Sequence, residues 1–319
     1  MNTPFSEIIN FYPMNRFRQS SIEQNLQLRA QIIWAIRSFF VDNDYLEVET
    51  PCRIPAPAPE FHIDAQPSDS WFLQTSPELY MKRLLASGYP RIFQICKCFR
   101  QNERGNKHLP ELTMLEWYTA GKDYRDMMNQ CEDLIRFVAR HTGFKDTIIY
   151  QEKRIDLIKP WTRLSVSDAY DRFGSIPMEQ AILEGKFDEV IASEIEPHLG
   201  QKKPLFLYDY PVSSGSLARL KPNNSLLAER FELYIGGLEL CNAFTELTDS
   251  DEQRKRFEKE LSLRKRSGKQ VYPIPEIFLD SLKFMPDASG NALGIDRLVM
   301  LFADTTRIDD VVAFTPEEL

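Results

Sequence analysis

Two β-like runs, Arg91 to Arg100 and Leu112 to Tyr118, flank a polar loop from Gln101 to Pro110 that contains Gly105-Asn106. Two such runs divided by a turn-forming stretch make a hairpin, and a hairpin pairs its strands antiparallel. Further strand patterns lie at Tyr45 to Glu49, at Pro204 to Tyr210 and near Phe231 to Asn242. Between them, Leu26, Ile32, Ile33, Ile36, Phe39 and Phe40 recur at helical spacing, which predicts a helix from Leu26 to Val41. Ser76-Pro77-Glu78 has the order of a second helix start, with Ser as N-cap and Glu at the positive dipole end. Gly88 is its stop. The region from Asp123 to His198 reads as mainly helical, and the chain closes on a glycine-bearing strand-to-helix turn, Ser289 to Phe302. Strands scattered among helices without βαβ alternation predict an α+β fold, its mixed and mostly antiparallel sheet flanked by helices.

Three constellations carry chemistry. The first is Phe99-Arg100, then Glu103-Arg104-Gly105, His108 and Pro110 to Glu116. An arginine leaving a hairpin strand can grip a phosphate with two parallel hydrogen bonds, though one such arginine alone reads equally as a solvated rim residue. The second is Glu239 to Asp249, with Glu239 and Glu246 in an apolar strand context. Buried carboxylates need a cation, and magnesium on ATP phosphates or a substrate ammonium would serve. A half-exposed strand with alternating polar residues is the plainer alternative. The third is Gly290-Asn291-Ala292-Leu293-Gly294-Ile295-Asp296-Arg297. Small residues there let a ligand approach the strand, and a helix starting near Asp296 aims Arg297 back at the sheet. It is neither a Walker loop nor a dinucleotide fingerprint.

The bulk numbers exclude some classes. A net charge of -8 argues against a surface that attracts nucleic acid throughout. Cysteines 52, 96, 98, 131 and 241 have no framework spacing and read as reduced thiols, with Cys96 and Cys98 on one strand face and no zinc site expected. Met1 to Pro13 lacks the apolar run of a signal peptide, and Ile32 to Val41 is too short to span a bilayer. A cytoplasmic protein is expected. The basic run from Arg254 to Lys269 alternates with Glu and fits a solvated helix face.

Together, the three constellations resemble the three motifs of class II aminoacyl-tRNA synthetases, over about Leu26 to Phe314. Helix Leu26 to Val41 followed by Leu46-Glu47-Val48-Glu49-Thr50-Pro51 is similar to motif 1, which implies a homodimer. The Phe99-Arg100 hairpin is similar to motif 2, and Gly290 to Arg297 to motif 3. Thr75-Ser76-Pro77-Glu78 and Glu239 to Asp249 resemble the lysine branch. Motif 1 begins near Leu26, so residues 1–25 form an extension too short for the anticodon-binding barrel of a lysyl-tRNA synthetase, and residues 26–319 a catalytic domain whose connecting region runs from about 123 to 200. The chain therefore resembles the free-standing lysyl-tRNA synthetase paralogues that attach (R)-β-lysine to elongation factor P, and tRNA is not the expected acceptor.

That resemblance implies roles. ATP and magnesium would be used, with Arg100, Glu239 and Arg297 catalytic. Asn102, Glu103, His108, Leu112, Leu240 and Gly294 would join them around ATP. Ser76, Glu78, Tyr118, Asn242, Glu246 and Ala292 would hold lysine or (R)-β-lysine, and Glu239 with Glu246 the metal. Lysyl-tRNA synthetases usually carry glycine at the position of Ala292, a change of one methyl at a pocket wall. Motif 2 departs from the family pattern at Asn102 (usually Glu), Leu109 (commonly Asn) and Leu112 (normally an adenine-stacking Phe). Two other readings stay open: a catalytically silent synthetase-like subunit, or the same activation with tRNA or another amine as acceptor.

Overall fold

The computed structural model describes residues 17–319 other than Ser216. The extension expected over residues 1–25 thus lies largely outside the described residues. The strands of the main sheet are β1 (Leu46–Glu47), β2 (Arg91–Phe99), β3 (Glu111–Ala120), β4 (Thr162–Ser165), β5 (Leu205–Pro211), β6 (Leu220–Lys221), β7 (Asn224–Ile235), β8 (Leu238–Thr245) and β9 (Ala288–Gly294). They are ordered β1-β2-β3-β9-β8-β7-β5-β4, with β6 against β7. Only the outer pairs, β1 with β2 and β5 with β4, run parallel. The α+β expectation and the hairpin over β2 and β3 agree with this sheet.

Alternation along the strands sorts two faces. Phe93, Leu115, Trp117, Phe231, Leu233, Cys241 and Leu293 pack against three helices, α1 (Glu23–Asp42), α3 (Tyr124–His141) and α5 (Ile295–Phe302), in one large core. The residues between them in sequence, among them Met114, Glu116, Tyr118, Asn242 and Ala292, face a cavity on the other side. Helix α2 (Glu78–Ala86) borders that cavity, and α4 (Ser250–Arg266) flanks it. Among the described residues, no helix is long and apolar enough to cross a membrane.

Three local expectations need correction. Helix α2 starts at Glu78, after Pro77, with the Ser76 hydroxyl accepting the Glu78 N–H at 3.0 Å. The region read as helical after Asp123 also contains strands, the hairpin Thr147–Tyr150 with Lys153–Asp156 and the sheet strand β4. Finally, the strand expected near Phe231 to Asn242 is two strands. They turn at Gly236-Gly237, both with positive φ, so that Ile235 pairs with Leu238 across a two-residue connection.

Candidate active site

The sheet builds the floor of the site as rows of directly opposed residues, which share a face. One row runs Glu116, Ala292, Asn242, Glu232 across four strands. The next runs Tyr118, Gly290, Phe244, Arg230. Pairing between β7 and β8 skips Leu240, so Tyr234 meets Glu239 while Leu233 meets Cys241. That one-residue bulge brings Glu239 to the same face as Asn242, a reversal that strict alternation forbids. Above the floor lies a cavity of about 820 Å³, within the usual range for a small-molecule site.

Its inner end is acidic. Glu116 accepts from the Ser76 hydroxyl at 2.5 Å and from the Tyr118 hydroxyl at 2.9 Å. Lys82, itself buried, meets Glu78 at 2.5 Å and also Glu246. Burial opposes charge on Lys82, but Glu246 and Glu78 outweigh it and hold the ammonium above its ordinary range. The carboxylates suffer more. Burial, reinforced by Glu78, pushes Glu116 up to about 8 against the Ser76 and Tyr118 hydrogen bonds. Burial does the same to Glu246, up to about 8, despite Lys82.

Cations line the outer end. Arg297 donates to the Glu239 carboxylate and to the Glu239 carbonyl, both at 3.0 Å, and to His108 Nε2 at 2.5 Å. Desolvation and the Arg297 charge push His108 down to about 4, so at neutral pH the ring accepts through Nε2. Arg100 stands 3.7 Å from Glu103, and its buried Nε has no hydrogen-bond partner. Asp296 ties the motifs together: it accepts the Thr113 N–H at 2.7 Å and an Arg29 guanidinium N–H at 2.7 Å. Glu232 accepts from Tyr210, Tyr234 and Arg230 at 2.6–2.7 Å. Its carboxyl is raised, chiefly by burial, with Arg230 opposing and Glu239 adding to the rise. Arg230 also donates to Asn242 Oδ1 at 3.0 Å, leaving the Asn242 amide hydrogens for a ligand.

The cavity thus joins an acidic inner end to an arginine-lined outer one on a single face of the sheet. The family model for tRNA synthetases class II (D, K and N) matches residues 7–318. The chain belongs to that family. This class II chain is also 40% identical to a protein of Salmonella arizonae named elongation factor P–(R)-β-lysine ligase, over 94% of this chain and 97% of the relative. Proteins with the same name from Enterobacter sp. and Pectobacterium carotovorum are 39% and 38% identical, over 91% and 94% of this chain and 94% and 98% of theirs. The class II chain is thus an ATP-dependent amino-acid ligase.

The structure gathers most of the expected residues of this class II site around one cavity: Ser76, Glu78, Arg100, Asn102, Glu103, His108, Leu112, Tyr118, Glu239, Leu240, Asn242, Ala292, Gly294 and Arg297. Glu246 does not join Glu239 as a metal pair. Glu239, near the start of β8, engages Arg297, whereas Glu246, just past its other end, is buried against Lys82, so the length of the strand separates them. The carboxylates that feel the Glu239 charge are Glu232 and Glu196. Two motif 2 departures have local reasons. Asn102 adopts φ +65°, a left-handed conformation that asparagine tolerates better than glutamate. Leu109 is buried in the main core. Residue patterns missed Glu116, Lys82, Arg230 and Glu232. Lys82 had a signal, since it lies four residues after Glu78 on a helix. The basic run from Arg254 to Lys269 also misled, for Arg264 is fully buried rather than solvated.

Proposed function

We propose that this ligase activates (R)-β-lysine with ATP as its adenylate and transfers it to a lysine side chain of elongation factor P. One observation carries the reading. At the inner end three carboxylates share one ammonium: Glu78 and Glu246 pair with Lys82, while Glu116, held by the Ser76 and Tyr118 hydroxyls, only feels its charge. A substrate with two ammonium groups completes that balance, and a neutral side chain would leave it unmet. The names of the relatives supply the isomer and the acceptor.

Arg100, with its unpartnered Nε, grips the α-phosphate and the adjoining substrate carboxylate. Arg297 braces the distal phosphates while neutral His108 and Glu239 fix its guanidinium. Glu232 and Glu239 fit a divalent cation: they are two hard oxygen donors whose charges crowd each other. When magnesium is bound there, it neutralises the triphosphate charge. Asn242 directs its amide toward the amino acid, Ser76 and Tyr118 hold Glu116 in place, and Ala292 forms the floor between Glu116 and Asn242. The substrate carboxylate attacks the α-phosphorus and pyrophosphate leaves; alignment and charge, rather than proton transfer, lower this barrier. The protein works in the cytoplasm, as a homodimer through helix α1 and β1, with residues 26–319 as one catalytic domain.

The test is ATP–pyrophosphate exchange with α-lysine and (R)-β-lysine supplied separately, then transfer of label to purified elongation factor P. Exchange favouring (R)-β-lysine, with label on the factor, is expected. Exchange with neither amino acid would sink the proposal in favour of a silent subunit.

A further inference from the structure

The transfer step needs something activation does not: the acceptor lysine arrives as an ammonium and must lose a proton before its nitrogen can attack. The carboxylates described above are all engaged, with Lys82, Arg100, Arg297, Arg29 or hydroxyl donors. Of two further cavity acids, Glu260 accepts the Phe61 N–H at 2.9 Å, and Asp188 stands 3.9 Å from His62 at the solvent-exposed rim. Among the described residues, Glu60 is the one cavity-lining acid whose carboxyl has no hydrogen bond and no ion pair.

Its placement is fixed by the backbone. Arg264, a fully buried cation, donates to the carbonyls of Glu60 at 2.7 Å and Ile63 at 3.0 Å and pairs with Asp64 at 2.7 Å. Lys269 holds the Phe61 carbonyl at 3.0 Å. Burying an arginine is expensive, and here it is spent on pinning the segment that presents Glu60. The charged groups facing the Glu60 carboxyl are Glu78 from α2, Arg100 at the end of β2, Arg230 from β7 and Glu260 from α4. Glu60 thus shares the cavity with, and feels the charge of, both Glu78 at the amino-acid end and Arg100 at the phosphate end. The carbonyl carbon of an adenylate belongs at that junction.

We infer that Glu60 is the general base of the transfer step, an inference that rests on the proposed acceptor being an amine. The acceptor ammonium gives one proton to the Glu60 carboxylate. The freed lone pair forms the amide C–N bond at the adenylate carbonyl, and the C–O bond to AMP breaks with its electron pair leaving on AMP. The second proton on nitrogen passes to water, and Glu60 releases its own to solvent. Burial and Glu78 push the Glu60 carboxyl up to about 7, against Arg100 and Arg230, which suits a base working near neutral pH. His62, the neighbouring alternative, is largely exposed and faces Asp188.

The test is single-turnover transfer from the enzyme-bound adenylate to elongation factor P, comparing wild type with Glu60→Gln across neutral pH. Pyrophosphate exchange and hydroxamate formation with hydroxylamine, a nucleophile uncharged at neutral pH, are followed in parallel. Glu60→Gln should slow transfer at least about 100-fold more than it slows either control. The wild-type transfer rate should rise with pH to about 7 and then level, while the variant keeps rising as the free amine itself appears. Equal losses in all three assays, or a variant that keeps the plateau, would overturn the assignment of Glu60 alone. Wild type that forms hydroxamate but never labels the factor would overturn the acceptor reading and this inference with it.

Discussion

A β-carbon built at Gly290 would lie 2.3 Å from both Glu246 Oε1 and Tyr118 Cε1, closer than real Cβ atoms approach anything. Gly290→Ala should therefore raise the KM for the amino acid by the cost of overpacking, about 1–3 kcal/mol or about 5- to 150-fold. Exchange kinetics check this, with thermal midpoint as the folding control. Two residues on, Ala292 stands in the row between Glu116 and Asn242. Ala292→Gly should move the ratio of kcat/KM toward α-lysine by about 1–3 kcal/mol; an unchanged ratio would place isomer selection elsewhere. Titration offers a third prediction. With Glu116 and Glu246 both near 8, the empty pocket keeps protons at pH 7, and an incoming ammonium favours the ionised forms. Binding should release protons and tighten as pH climbs toward about 8, which calorimetry in buffers of different ionisation enthalpy measures. The sign for stability is opposite: between about 4.5 and 8 the folded enzyme holds more protons than the unfolded chain, so the empty enzyme loses stability as pH rises through that window. At this scale the sequence was legible where a motif named the residue, as for Arg100 and Arg297. It was silent where burial decides chemistry, as for Glu116, which closed the first constellation with no role of its own.

Elements carry the motifs to one another through few bonds. Asp296, at the start of α5, accepts from Arg29 on α1 and from the Thr113 backbone on β3, and its side chain is only 4% exposed. Asp296→Ala removes the counter-charge of Arg29, which keeps only the Val311 carbonyl and the Thr113 hydroxyl, and strands the Thr113 N–H, and should lower stability by about 3–5 kcal/mol in urea unfolding. The exposed pair Arg53–Asp69, at 3.2 Å, gives the contrast, since losing it should cost under about 1 kcal/mol. Equal effects would mean that the Asp296 junction relaxes freely. Hairpin β2–β3 was readable because its loop is polar and its strands are apolar. Strands β7 and β8 were fused into one because the Gly236-Gly237 turn lies inside a continuous apolar run. Glu232 went unnoticed with that turn, and so did its coupling to Glu239. Arg264 shows the converse limit: charge periodicity on α4 predicts solvent, yet a loop folds over the helix and buries one of its basic residues.

Over the whole of the described molecule, exposed apolar side chains are scattered, and three of them fall within motif 1. Trp34 is 66% exposed and Val41 60%, and seven residues apart they share one face of α1. Leu46, on the edge strand β1 that follows, is 51% exposed. Edge strands and apolar helix faces left uncovered invite a partner. The same helix sends Arg29 to Asp296 and packs Ile32, Ile36 and Phe40 into the core beneath the site. A second copy covering α1 would therefore brace the floor from behind. Trp34→Glu puts a charge at the centre of that face, where a tryptophan contact is worth about 2 kcal/mol or more. Sedimentation equilibrium should show a wild-type dimer and, for the variant, dimer affinity weakened at least about 30-fold. Exchange activity should fall as the variant is diluted, because monomers lose the brace while the cavity residues are untouched. A wild type that sediments as a monomer with full exchange activity would instead make the cavity self-sufficient and leave the exposed face of α1 for another protein.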